Sequence, residues 1–445
     1  MRSIRTKFQI KTNSIPHNLS RTYWEGLWFF LLLMSPLFGF AQSLTIETCQ
    51  EKAKANYPLV KQYGLIEQTA QYNISNANKS YLPQLSLSAR ATYQSDVTQI
   101  PVALGAKLGI VIPSMSKDQY QAVVEANQLI WDGGVVSAQK KITNAGTEVE
   151  KKKLELDLFS LNERVNQLYF GIFLLNEQLK QNAILQNELQ TNFNRIEAFK
   201  QNGVANQTDL DALKVEQFNA DQRKTEIKTT RKSYCLVLSA MTGLKIDENT
   251  TLAKPEINLT VLTDTVVRRP ELALFDAQNK MYESQKTLLN AGNLPRLGAF
   301  VQGGVGKPAL NMFNNGFSPF YIGGLRLSWN FSGFYSQKNN LNKIDISKKI
   351  VDIQKETFLF NTDLITKQQK AEIEKLQSAI NNDDEIIRLR GNIKKSASAK
   401  VDNGTLTVTD LIREINAENI AIQTKSLHEI QLYMAVYQLK NTTNN

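Results

Sequence analysis

Asn202-Gly203-Val204-Ala205-Asn206-Gln207-Thr208-Asp209-Leu210 returns about two hundred residues later as Asn403-Gly404-Thr405-Leu406-Thr407-Val408-Thr409-Asp410-Leu411. Asn-Gly, Thr-Asp and Leu fall in register in the two segments without a gap. Each segment reads as a reversal between helices. A glycine free to take positive φ ends the first helix, and Thr-Asp opens the next, with a hydroxyl to cap a free N–H and a carboxylate suited to the positive helix end. Two further landmarks precede the reversal in both places. Pro58 opens a helical run leading to Leu82-Pro83-Gln84-Leu85, and Pro270 one leading to Leu294-Pro295-Arg296-Leu297. A strand-like run then ends in Trp131-Asp132-Gly133-Gly134 and again in Trp329-Asn330-Phe331-Ser332-Gly333-Phe334. Three coincidences in one order predict two copies of one structural unit.

Each copy reads helix, strand, strand, helix, helix. Leu158, Leu161, Val165, Leu168, Ile172, Leu175 and Leu179 follow 3-4 spacing, and Leu189, Phe193 and Ile196 continue the frame, with Asn182 and Gln186 between them. This period predicts left-handed supercoiling against neighbouring helices. No proline interrupts Val135 to Phe199, so one helix on the order of 95 Å is expected there. Such a helix cannot fold back into a compact core and must lie in a bundle or tube. A second helix is expected from Thr208 to about Met241, stopped by Thr242-Gly243. The later copy is expected to mirror this, with helices from about Phe334 to Lys395 and from Thr409 to about Leu439. The resulting division is a first repeat over residues 42–241, an irregular linker over 242–269, a second repeat over 270–440 and a short tail over 441–445.

The strands decide where the chain resides. Leu85, Leu87, Ala89, Ala91 and Tyr93 alternate with Ser86, Ser88, Arg90, Thr92 and Gln94. Leu325, Leu327, Trp329 and Phe331 alternate with Arg326, Ser328 and Asn330. Tyr120 to Trp131 and Leu297 to Val305 alternate less cleanly. Runs of about ten residues have the length of a tilted strand crossing a bilayer, although a soluble two-sided sheet also alternates. Tyr93, Trp131, Tyr321 and Trp329 sit at or near strand ends, where an interfacial aromatic girdle belongs. Gln302-Gly303-Gly304-Val305-Gly306 lies within a strand pattern and precedes no helix, so it reads as curvature or lumen space rather than a nucleotide loop. A sheet in lipid must close, because each unpaired backbone group costs several kcal/mol, and single-chain barrels begin at about eight strands. Four strands per chain therefore imply pooling between copies. A dimer gives about eight and a trimer about twelve.

Residues 1–41 read as a secretory leader: a basic stretch with Arg2, Arg5, Lys7, Lys11 and Arg21, an apolar segment from Leu27 to Phe40, and Gly39-Phe40-Ala41 before Gln42. The apolar run is about 14 residues, short of the roughly 20 that a spanning helix needs. Removing the leader lowers the formal charge of +10 to about +6, and no basic cluster interleaved with aromatics supports a nucleic-acid partner. Cys49 and Cys235 lie far apart in no metal-like spacing and read as small buried residues, with a disulfide left open. His428, the histidine remaining past the leader, reads as a surface or packing residue. No nucleophile motif or phosphate loop is present, so neither an enzyme nor a cofactor or metal is expected.

The duplicated unit, the two Leu-Pro-x-Leu strand starts, the Trp131–Gly134 strand end and the Gly-x(4)-Thr-Asp turns at Gly203–Asp209 and Gly404–Asp410 together resemble the TolC-like outer-membrane efflux protein family. The resemblance covers Leu44 to about Leu439. It implies an α+β membrane protein, a homotrimer whose twelve-stranded β-barrel, four strands per chain, is continued by a long α-helical coiled-coil barrel in the periplasm. It also implies a passive exit duct in the cell outer membrane for a tripartite efflux or type I secretion system. Its partners are then outer-membrane lipid, a periplasmic adaptor protein and an inner-membrane pump of the RND or ABC type. Gly203, Thr208, Asp209, Gly404, Thr409 and Asp410 fall on the periplasmic tip, where adaptor contact and gating occur in the family. Asp209 and Asp410 also have a plain role as first-turn carboxylates. Some members carry a second acidic residue where Arg413 stands here, and the lipid-anchored branch begins with a Cys where Gln42 stands. The competing reading is a periplasmic coiled-coil scaffold without a pore, which has no need of bilayer-length strands.

Overall fold

The computed structural model describes residues 44–98, 109, 114–256 and 266–444. The expected leader and the middle of the expected linker lie outside the described residues. Leu44 onward forms one compact unit. Its elements are helix α1 (Ile46–Asn56), a 3₁₀ turn (Pro58–Lys61), α2 (Gln62–Lys79), strands β1 (Gln84–Tyr93) and β2 (Asp118–Trp131), and helices α3 (Val135–Phe159), α4 (Leu161–Gln201) and α5 (Gln207–Thr242). Then follow α6 (Pro270–Gly292), β3 (Arg296–Lys307), β4 (Ser318–Ser328), α7 (Gly333–Asp402) and α8 (Val408–Thr443). Among the described residues the order helix, strand, strand, then helices thus occurs twice, with three helices (α3, α4 and α5) after the first strand pair and two (α7 and α8) after the second.

The expected continuous helix over Val135–Phe199 is two helices. Ser160 stays in the α region at φ −60° and ψ −21°, but its hydroxyl donates to the Asp157 carbonyl at 2.7 Å. Such a side-chain bond competes with the backbone ladder, and the helix is interrupted at this residue. The counterpart α7 runs unbroken for 70 residues, about 105 Å at 1.5 Å per residue. The alternation read through Trp329 and Phe331 also ends earlier than expected. Strand β4 stops at Ser328, and Trp329 and Phe331 lie beyond it with rings 4.7 Å apart.

The four strands form one antiparallel sheet in the order β1-β2-β3-β4. Directly paired residues share a face. One face therefore collects Leu85, Leu87, Ala89, Val124, Ala126, Val301, Val305, Leu325 and Leu327, and the other Ser86, Arg90, Gln121, Glu125, Gln302 and Arg326. Among the described residues no layer covers the apolar face, since Leu85, Leu87, Tyr321, Leu325 and Leu327 are each about 70% exposed or more. Gly304 accommodates a close crossing, because a Cβ there would stand 2.1 Å from the Ala122 carbonyl oxygen.

Among the described residues the helices bury their apolar seams in five clusters, of which three hold the long helices together. Near the turns, Leu189, Ile196, Leu213, Val401, Leu411 and Ile415 pack together from α4, α5, α7 and α8. Between α7 and α8 lie Ile373, Leu376, Val436 and Leu439. In the largest cluster α1, which periodicity alone had not revealed, packs Ile46, Cys49 and Ala53 against Val165, Tyr169, Phe170, Cys235 and Leu238. Leu44 and Leu252 form a parallel bridge beside it. The fully buried Tyr169 hydroxyl lies 2.7 Å from the Leu44 carbonyl and 2.6 Å from that of Ala253, so its single proton serves both segments. Asn182, one of the two polar residues in the seam frame, is buried and donates to the Ala220 carbonyl at 2.9 Å.

Both cysteines are free and buried. Burial, with Glu47 adding repulsion, pushes the Cys49 thiol up to about 12, and burial also raises Cys235. Thiolate is the reactive form. Neither cysteine is therefore expected to react with iodoacetamide at pH 8 in the folded protein, while both react in denaturant. Mass spectrometry before and after unfolding checks this, and rapid native labelling would contradict the packing of α1.

Candidate functional sites at the helix turns and the strand ends

The two reversals are built alike. After α4, Gly203 takes φ +75°, with Gly203 N–H donating to Lys200 O at 3.0 Å and Val204 N–H to Phe199 O at 2.9 Å. After α7, Gly404 takes φ +69°, with Gly404 N–H donating to Val401 O at 3.0 Å and Thr405 N–H to Lys400 O at 2.9 Å. Nothing lies within 4 Å of a Cβ at either glycine. Backbone conformation, not space, calls for glycine here.

The helix starts differ from the expectation. Thr208 and Thr409 are exposed second-position residues, and the caps stand two residues earlier. Asn206 Oδ1 accepts from Asp209 N–H at 3.0 Å while Asn206 N–H donates to Asp209 Oδ2 at 3.1 Å, a reciprocal capping box. Thr407 Oγ1 accepts from Asp410 N–H at 3.1 Å and donates to Asp410 Oδ2 at 2.7 Å. A cap paired with a residue three positions on was the available signal. The adjacent Thr-Asp pairs carry the same capping chemistry and mask that signal. Asp410 also meets Arg413 Nη1 at 3.2 Å, so its charge is partly matched.

Above the turns, polar contacts tie α4 to α7 and α8. Arg195 donates to Ser398 Oγ at 2.7 Å and pairs with Asp402 at 3.2 Å. Lys394 bridges Glu188 at 2.7 Å and Glu418. Burial opposes its charge, but the two carboxylates prevail and raise its pKa. His428, read as a packing residue, places Nδ1 2.6 Å from Oδ2 of the buried Asp383.

The four aromatic residues divide between the two ends of the sheet. Tyr93 ends β1 and Tyr321 lies near the start of β4, both at the edge carrying the strand-to-strand loops. Tyr120 and Phe317, rings 6.1 Å apart, join them there. Trp131 and Trp329 lie at the edge from which the helices run. A bulge between Leu129 and Trp131 pairs Trp131 with Leu297, which brings it to the apolar face. The Trp329 indole N–H donates to the Asn293 carbonyl at 2.9 Å.

Each strand-to-helix junction is held by a side chain at the strand end. Asp132, 3% exposed, accepts from Gly134 N–H at 2.8 Å, Val136 N–H at 2.5 Å and Tyr81 Oη at 2.9 Å. Gly133, at φ +72°, lies so close to the next unit that a Cβ would stand 2.7 Å from Leu294 Cβ. In the second junction Asn330 Oδ1 accepts from Ser332 N–H at 3.0 Å. Burial works against the Asp132 charge, but the three hydrogen bonds outweigh it and lower its pKa.

Among the described residues no cluster of three His, Cys, Asp or Glu side chains suits a metal, and no helix is long and apolar enough to cross a membrane.

Comparison with known proteins places this geometry. Residues 50–244 match the outer membrane efflux protein family. The fold is similar to that of a membrane protein from Pseudomonas aeruginosa (TM-score 0.64, 13% identity, 89% of this chain and 90% of that one). It is also similar to the outer membrane protein VceC of Vibrio cholerae (0.60, 12%, 89% and 94%) and to the open MtrE outer membrane channel of Neisseria gonorrhoeae (0.60, 12%, 90% and 89%). No curated protein matches the chain in sequence. The family resemblance read from the sequence is thus found again over residues 50–244, and the solved structures share the fold.

Two outcomes are expected. Asn206→Ala should destabilise the α5 start by about 0.5–2 kcal/mol, read as a lower denaturation midpoint. Asp132 has a depressed folded pKa, so its contribution is complete above the unfolded value of about 3.9 and is lost as pH falls below it. Asp132→Asn should therefore lower the melting temperature at pH 7 and lose that difference in acid; an equal deficit at both pH values would refute the assignment.

Proposed function

We propose that this chain, which resembles outer membrane efflux proteins in sequence and fold, is the outer-membrane channel of an efflux or type I secretion system. The observation that carries the reading is the two-faced sheet with free edges. Among the described residues β1 and β4 each lack a partner on their outer side, and the apolar face stands uncovered. Lipid on that face and further copies of the chain at the edges supply what is missing. Three copies give a closed barrel of about twelve strands, within the range of outer-membrane barrels. The helices ask for the same pooling. Ile346, Ile350, Ile353, Phe360 and Leu364 lie along α7 at heptad-like spacing and are about half exposed, an unsatisfied coiled-coil seam. Tyr93 and Tyr321 then anchor one interface, and Trp131 and Trp329 the periplasmic one.

On this reading the glycine turns at Gly203 and Gly404 form the periplasmic tip and meet the adaptor of an inner-membrane RND or ABC pump. Transport through the chain is passive. Threefold symmetry gathers Asp410 into a cation-attracting ring, moderated by Arg413. The solved relatives called outer membrane channels lend support through the fold they share.

Electron microscopy of protein purified in detergent from the membrane fraction tests the reading. Elongated tapered particles with threefold end views are expected. Soluble rods without a detergent belt would overturn it in favour of a periplasmic scaffold. In planar bilayers, Asp410→Ala should lower cation selectivity and divalent-cation block, and Arg413→Ala should raise both. Unchanged values would remove the ring.

A further inference from the structure

The charges of the strands are sorted by face. The strands carry Arg90, Glu125 and Arg326 in their interiors, and Arg296 opens β3 at the helix end. The register places all four on the polar face, Arg90 opposite Gln121, Glu125 opposite Gln302, Arg326 opposite Gly298 and Arg296 opposite Ser328. The other two strand charges, Asp118 and Lys307, end their strands on the apolar side and pair with each other at 2.7 Å. Charge inside the sheet is thus confined to one face, and that face holds three guanidinium groups against one carboxylate.

The carboxylate is already engaged. Glu125 meets Arg326 at 3.7 Å, and the Arg326 guanidinium also lies 4.6 Å from the Phe300 ring centre. Arg90 finds a neutral acceptor, Gln121 Oε1, at 3.4 Å. Arg90 and Arg296 are exposed, and no carboxylate among the described residues pairs with either. Gly298, Gly304, Gly306 and Gly324 share this face, which keeps the wall low around the long arginine side chains. Like charges lining a low-dielectric channel concentrate counter-ions within it.

We infer that the polar face of the strands makes the outer-membrane section of the duct an anion-concentrating passage, so that anionic solutes are favoured over cations there. The inference rests on the channel reading, which turns this face into a lumen wall. Each copy of the chain adds two uncompensated guanidinium groups, Arg90 toward the loop edge and Arg296 toward the helix edge. This selectivity is separate from anything at the turns, which lie at the far end of the helices.

The test is single-channel recording of the full-length protein in planar bilayers under a potassium chloride gradient, with hexacyanoferrate added to each chamber in turn as the polyvalent anion probe. Hexacyanoferrate should block wild-type current more strongly from one side. The double variant Arg90→Gln/Arg296→Gln should relieve that block and lower the chloride-to-potassium permeability ratio by roughly threefold or more. The double variant Arg90→Lys/Arg296→Lys should retain both properties, and Glu125→Gln should deepen the block. Unchanged block and permeability in the glutamine variant, or equal loss in the lysine variant, would overturn the inference while leaving a conducting channel. Absence of any unit conductance in the wild type would overturn the channel reading itself, and this inference with it.

Discussion

A backbone hydrogen bond left open in hydrocarbon costs several kcal/mol, and the rest of the molecule follows from that constraint. Four strands cannot close a barrel. On the proposed channel reading, a chain that contributes four strands with an uncovered apolar face is completed by copies of itself. The long helices repeat the same economy, since α7 buries one seam against α8 through Ile373, Leu376, Val436 and Leu439 and leaves Ile346, Ile350, Ile353 and Phe360 exposed.

Between sheet and helices the chain changes period from two to 3.6 residues, and each junction is fastened by a polar side chain. Asp132 closes one by accepting from Gly134, Val136 and Tyr81, and Asn330 closes the other through Ser332. The carboxylate draws on the positive end of α3, which the amide cannot match as strongly. The first junction also grips the second unit, because Gly133 sits against Leu294. At the opposite end, four helices converge on one apolar cluster, tied across by Arg195 and Lys394. The turns are therefore held both by their own caps and by the packing above them.

Much of this was legible in the residues. The 3-4 spacing from Leu158 to Ile196 marked a buried seam because an apolar stripe must face its neighbour along its whole length. Alternation in Leu85–Tyr93 marked a two-faced strand for the same reason at period two. Positive φ at Gly203 and Gly404 was foreseeable because other residues pay for that conformation. Less was legible where local patterns compete. The break at Ser160 depends on one hydroxyl choosing the Asp157 carbonyl. The caps at Asn206 and Thr407 were overshadowed by the more conspicuous Thr-Asp pairs that follow them. Helix α1 is only 11 residues long, too short for its Ile46, Cys49 and Ala53 stripe to stand out, and it is stabilised by what it meets, with Cys49 and Ile46 buried against Tyr169 and Phe170.

The sequence by itself determined the kinds of element, their order and the duplicated turns, because these depend on near neighbours along the chain. Only the tertiary structure decided which residues share a face across strands. Register is set by pairing at long range, and a shift of one residue exchanges the two faces. That is how Arg90, Glu125, Arg296 and Arg326, from four different strands, come to lie on one wall, how a bulge turns Trp131 to the apolar side, and how the Tyr169 hydroxyl joins Leu44 to Ala253.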